Sequence, residues 1–153
     1  MQCDIAAVLI PLHKKAKENY MTRKEEREQA FILVFEKCFR EDSPDDILDD
    51  ALIAEVYHDS EYSEACFRGV TEHLDEIDAL IEKNLSGWTL GRLSKVALSI
   101  MRLAVFEMQY MPKVPVGVSI NEAVELCKKY ATKEDASYIN GVLGSISRKN
   151  GQS

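Results

Sequence analysis

From Val96 to Met111 the chain is apolar nearly all round, interrupted mainly by Arg102 and Glu107. A helix without a polar side has to be enclosed by other elements, so this segment predicts a central helix contacted on several sides. The two charges stand five residues apart, on different faces of that helix, and do not pair with each other. Each is expected to find a partner elsewhere or to snorkel to water. The rest of the 153 residues must supply the enclosure.

What surrounds this segment is also helical. Thr22 and Glu25 form T-x-x-E, a capping box in which hydroxyl and carboxylate each satisfy an orphan backbone N–H. Behind it Ala30, Phe31, Val34, Phe35, Cys38 and Phe39 mark a buried stripe. Ser43-Pro44 is a cap followed by proline at the first helical position, and Ile47, Leu48, Leu52 and Val56 give the next helix its apolar side. From about Glu61 one longer helix is expected to turn Tyr62, Cys66, Gly69, Val70, Leu74, Ile77 and Ile81 inward, ending near Asn84 to Gly87. Trp88 precedes a Thr89 cap and a short turn through Leu93. Pro112 and Pro115 end the central helix and predict an extended crossing to Ser119.

Ser119 to Ser147 reads as two amphipathic helices joined by a polar turn. Ser119 and Glu122 have capping-box spacing; Ile120, Ala123, Val124 and Cys127 share one face. Thr132 caps the second helix, with Glu134 and Asp135 in its first turn and Ile139, Val142, Leu143 and Ile146 facing inward. Gly141 lies inside that helix, where glycine costs about 1 kcal/mol against alanine, and close approach of a neighbouring helix is the expected reason. With seven glycines and four prolines there is little material for a turn-rich β architecture, so the fold is expected to be all-α with about seven helices.

Cys3, Cys38, Cys66 and Cys127 are widely spaced, no C-x-x-C occurs, and buried free thiols are expected. His13, His58 and His73 lack ligand spacing, so no metal or cofactor is expected. No phosphate loop, H-E-x-x-H or nucleophile elbow is present, and the chain is read as a non-enzyme. The apolar run Ile5 to Ile10 is too short to span a membrane, which takes roughly 20 residues, and it lacks the basic start of a signal peptide. Residues 1–20 read as an appendage, 21–148 as the helical domain and 149–153 as a polar tail.

The net charge is −7, but it is polarised. Glu41 to Glu82 holds fifteen acids against Arg68, and the remainder of the chain is basic by seven charges. Two places could therefore meet an anionic polymer. Arg23, Lys24 and Arg27 are expected on the exposed part of the first two turns of their helix, where cations can track phosphates. Glu25, Glu26 and Glu28 are interleaved, and a mixed-charge solvated surface accounts for the same pattern. The second place is the turn Lys133 to Tyr138, where Tyr138 at the margin of the core could stack on a base, worth about 1–3 kcal/mol in single-strand binders. Asp135 could accept from a base edge or simply favour the helix N-terminus.

Several short motifs then fall in one order: Arg27-Glu28 with Ala30, Met101-Arg-Leu-Ala-Val-Phe-Glu107, Val114-Pro115, Ile120-Asn-Glu-Ala123 and Asn140-Gly-Val-Leu143. Over roughly Met21 to Ser147 this set resembles the NusB family of bacterial transcription antitermination factors. The resemblance implies an all-α fold of two small helical subdomains. It also implies a cytoplasmic protein that binds single-stranded boxA-type RNA of ribosomal RNA leaders together with ribosomal protein NusE, in the RNA polymerase antitermination complex, with no membrane association. It places RNA contacts at Arg23, Lys24 and Arg27, and at Lys133, Asp135, Ser137 and Tyr138. Glu25 and Glu26 stand where many relatives carry bases. NusE contact is implied at Phe35, whereas Ala97 and Leu98 stand where many relatives carry a charged pair. The alternatives are a helical protein–protein adaptor with little RNA binding, and a fragment of a ribosomal RNA methyltransferase, for whose catalytic domain the chain has no room.

Overall fold

A computed structural model describes residues 21–151 except Trp88. The appendage 1–20, Trp88 and the last two residues of the polar tail lie outside the described residues. Seven α-helices and one 3-10 turn make up the described chain: α1 Arg23–Lys37, α2 Pro44–Ile53, α3 Glu61–Glu72, α4 Leu74–Lys83, the turn Leu90–Arg92, α5 Lys95–Tyr110, α6 Val116–Tyr130 and α7 Lys133–Lys149.

Most helix starts follow from their caps. The Thr22 hydroxyl accepts from Glu25 N–H at 3.2 Å while the Glu25 carboxylate accepts from Thr22 N–H at 2.7 Å. Ser43 accepts from Asp46 N–H ahead of Pro44, and Thr132 and Asp135 close a second reciprocal box on α7. Ser60 and Ser94 cap α3 and α5 through Ser63 and Ala97 N–H. Helix α5 is the centre: Ala97 to Met108 is buried apart from the half-buried Arg102, and α1, α3, α4, α6 and α7 all pack on it. Helices α1, α2 and α3 pack on one another, α6 packs on α7, and α4 touches both α3 and α7.

Three expectations are corrected. The helix starting at Glu61 is two helices, because His73 leaves helical geometry at φ −104°, ψ 22°. The apolar spacing runs through this break without a glycine or proline to mark it. The change of direction lets both Val70 and Ile77 be buried in the common core, while the His73 ring stacks on Tyr110 at 4.1 Å. Second, Ser119 is no cap. The Pro115 carbonyl accepts from Val118 and Ser119 N–H at 2.9 and 3.2 Å, so α6 begins a turn earlier than expected. Ser119 is buried within the helix, and its hydroxyl has no hydrogen-bond partner among the described residues.

Third, Gly141 does not admit a neighbouring helix. A methyl group at Gly141 would meet nothing within 4 Å, whereas one at Gly69 would lie 2.1 Å from the Phe106 ring. Gly69 is therefore the glycine that permits close packing, of α3 on α5. The described thiols are free, and burial pushes those of Cys66 and Cys127 up to about 12.

Urea denaturation should separate the two glycines. Gly69→Ala is expected to destabilise the protein by about 1–3 kcal/mol through overpacking. Gly141→Ala should stabilise it by up to about 1 kcal/mol, the helix-propensity difference.

Candidate nucleic-acid interface

The charge on Arg27 does not face solvent, contrary to the sequence expectation. Arg27 is 6% exposed, and its Nε donates to both oxygens of Glu107 at 3.1 and 2.9 Å. Glu107 is 1% exposed and also accepts from the Tyr62 hydroxyl at 2.6 Å. Burial disfavours charge on Arg27, but Glu107 outweighs it and holds the guanidinium above its ordinary pKa. Burial, and then the bond to Glu107, push the Tyr62 hydroxyl well up. The second charge within the apolar part of α5, Arg102, clasps Asp78 with two 2.8 Å bonds and directs a third N–H at Cys38 Sγ. Arg102 and Glu107 thus both have partners on other helices.

Arg23 and Lys24 do face outward. The Arg23 guanidinium lies 3.7 Å above the centre of the Tyr62 ring, a cation–π contact that leaves its side chain half exposed. The interleaved acids each have partners within the chain, although Glu25 is exposed and Glu26 also lies 3.6 Å from the Arg23 guanidinium. Glu25 is half of the capping box, Glu26 accepts from the Ser60 hydroxyl, and Glu28 accepts from Lys129 at 2.5 Å and from the Tyr130 hydroxyl. Burial works against the Glu28 charge, yet the bonds from Lys129 and Tyr130 hold its carboxyl below the ordinary value. The acidic stretch is similarly occupied in part: Asp45 and Glu64 pair with Arg68, and Asp42 and Asp50 with Arg40.

Beside Arg23 a groove of about 520 Å³ runs over Tyr62 to the loop after α5, with Lys113 on its wall. Sequence reading missed both Tyr62 and Lys113 as neighbours of the basic helix. Tyr62 carried only a core-like spacing, and a lone lysine between prolines gave no signal.

At the α6–α7 turn, Lys133 and Ser137 are exposed. Asp135 is committed to the cap, its carboxylate accepting from Thr132 N–H at 3.4 Å. Tyr138 is half-buried against the core with its hydroxyl out of contact with solvent, so only part of its ring is open for stacking. Lys133 and Ser137 edge a second groove, of about 560 Å³, between α6 and α7. The two basic regions are joined mechanically. Glu28 on α1 binds Lys129 and Tyr130, and the Tyr130 ring meets Phe31 at 5.1 Å, which fastens the start of the turn to α1.

Phe35 is half-buried between Phe31 and Phe39, with ring centres 6.2 and 5.1 Å away. Ile32 and Phe39 extend the stripe into solvent, Phe39 being 64% exposed. Ala97 and Leu98 are buried and form no part of an open surface. Among the described residues no helix is long and apolar enough to cross a membrane.

Comparison with known proteins places this geometry in context. A family model described as the NusB family matches residues 24–148. The transcription antitermination protein NusB of Lachnoclostridium phytofermentans is 42% identical over 135 residues, spanning 82% of this chain and 98% of that protein. That of Natranaerobius thermophilus is 38% identical over 134 residues, spanning 84% and 96%. Among solved structures, T. maritima NusB superposes with a TM-score of 0.75 at 33% identity, covering 84% of this chain and 92% of that one. A structure of antitermination factors NusB and NusE in complex with dsRNA superposes with a TM-score of 0.74 at 28% identity, covering 83% and 96%.

Two outcomes follow from the ion pairs. Arg27→Met leaves the Glu107 carboxylate buried and unpaired and should cost about 3–5 kcal/mol, most of it recovered in Arg27→Met/Glu107→Leu; urea titration of the three proteins checks this. The depressed Glu28 carboxyl contributes stability at neutral pH that is lost as pH falls through its folded value, below the ordinary 4.5. Acid unfolding of Glu28→Gln should accordingly be less steep than that of the unaltered chain.

Proposed function

We propose that this chain, which belongs to the NusB family, is a transcription antitermination factor that binds boxA-type single-stranded RNA of ribosomal RNA leaders together with ribosomal protein NusE. It acts within the RNA polymerase antitermination complex, in the cytoplasm, and as a binding protein rather than an enzyme. The observation that carries this reading is that Glu25, Glu26 and Glu28 are each held by other groups of the chain, Glu25 by the Thr22 backbone, Glu26 by Ser60 and Arg23, and Glu28 by Lys129 and Tyr130. Arg23, half exposed beside Glu26, and Lys24 remain outward at a helix start whose sequence looks neutral.

The roles of the expected site residues divide accordingly. Arg23 and Lys24 meet phosphates at one end, and Lys133 does so at the other. Ser137 offers a hydroxyl, and the open part of the Tyr138 ring offers a stacking surface. Asp135 holds the turn in shape. Arg27 acts as the strut beneath this surface and not as a phosphate ligand. Phe35, with the exposed Ile32 and Phe39, presents an apolar stripe suited to a protein partner such as NusE. Residues 21–148 form the RNA-binding helical domain, with 1–20 an appendage and 149–153 a tail.

Fluorescence anisotropy with a boxA-type oligoribonucleotide, with and without NusE, tests the proposal. NusE is expected to raise affinity and sequence preference. Arg23→Ala and Lys24→Ala should each weaken binding to all sequences alike and lower the log–log salt slope by about 0.7. Undiminished NusE binding with no RNA preference and no effect of these substitutions would instead identify a protein–protein adaptor.

A further inference from the structure

Asn121 and Asn140 belong to the motifs of α6 and α7, yet the functional reading so far gives them no task. Both side chains are exposed, and they line the 560 Å³ groove between the two helices. Neither carboxamide is bound to another described residue. Ile120, Val124 and Ala136 form an apolar floor, and Lys128 and Lys133 stand at the edge. In a chain of net charge −7, no aspartate or glutamate lines this groove.

The glycines supply an independent observation. Gly117 lines the groove within the first turn of α6, and Gly141 directly follows Asn140 on α7. A methyl group at either position would meet nothing within 4 Å. No neighbouring helix needs that space, although glycine weakens a helix. Open backbone beside unengaged amides is the arrangement expected where a ligand approaches closely.

We propose that this groove receives one unpaired nucleobase, with adenine preferred, read by the carboxamides of Asn121 and Asn140. A carboxamide presents one acceptor and one donor side by side, which matches the amino group and ring nitrogen on an adenine edge. The apolar floor covers a base face, and Lys128 and Lys133 meet the flanking phosphates. The groove has room for a base without any movement of α6 or α7. The inference rests on the RNA-binding reading and adds to it a place where base identity is read, apart from the phosphate contacts of Arg23 and Lys24.

The test uses the full chain with NusE and a boxA-type oligoribonucleotide in which each adenine in turn is replaced by uridine. One position is expected to show a loss of about tenfold in affinity. Asn121→Ala and Asn140→Ala should abolish that preference while leaving the salt slope and the melting temperature unchanged. Gly117→Leu, whose added atoms enter open space, should do the same by filling the groove. If the adenine preference persists in all three variants, or no position shows one while binding still depends on Arg23 and Lys24, this inference fails alone. If the unaltered chain with NusE binds no RNA, the functional proposal fails and this inference with it.

Discussion

The structure depends on the contact between Arg27 and Glu107. These charges lie eighty residues apart in sequence and face each other in the interior at 2.9 Å. A buried ion pair gains little net stability over well-packed apolar groups, because desolvation offsets most of the attraction. Its effect here is on register. A carboxylate buried in the middle of an apolar helix is tolerable only when its partners are in place. Helix α1 must bring Arg27, and α3 must bring Tyr62, to one point on α5. A slide or rotation of either helix would leave a charge unpaired.

That register also shapes the surface. Tyr62, with its hydroxyl bound to Glu107, holds its ring beneath the Arg23 guanidinium. The interior pair and the exposed cation are therefore two levels of one stack. Glu28 does comparable work on the other side of α1, where its carboxylate ties the end of α6 to the first helix. The acids that make the N-terminal helix look electrically neutral are each bound within the chain, Glu26 directly beside Arg23. Counting charges along the sequence obscures this, because a carboxylate already bound to a donor contributes less to the field outside than a free one.

The helices themselves were legible in the sequence wherever the determinant was local. Thr22–Glu25, Ser43-Pro44 and Thr132 each mark a start that depends on atoms within one turn. The all-round apolar character of Val96 to Met111 was enough to place α5 at the centre. Reading failed where distant parts of the chain decide. The break at His73 is set by packing of α3 and α4 on α5 and by the Tyr110 ring, with no local breaker. Ser119 had the right spacing for a cap, but the Pro115 carbonyl had already begun the helix. At the candidate site, which side chains face outward was legible only in part. Arg23, Lys24, Lys133 and Ser137 are outward as expected, while Arg27 shares a helix face with Arg23 and is nonetheless buried, because Glu107 is encoded eighty residues later.

A structural role for Arg27 changes what its loss would mean. Had it touched phosphate, replacing it would weaken RNA binding uniformly and leave the fold intact. As a strut, its loss frees Glu107, unseats Tyr62 and removes the ring on which Arg23 rests. RNA binding would then fall through disorganisation of the surface. An equal loss of binding cannot separate these cases, but the salt slope can. It counts the phosphates neutralised by cations, and Arg27 is not among those exposed to solvent. In folded protein bearing the paired Arg27→Met/Glu107→Leu replacement, the number of cations at the surface is unchanged. A slope that stayed the same while stability shifted would assign Arg27 to the scaffold and leave Arg23 and Lys24 as the contacts.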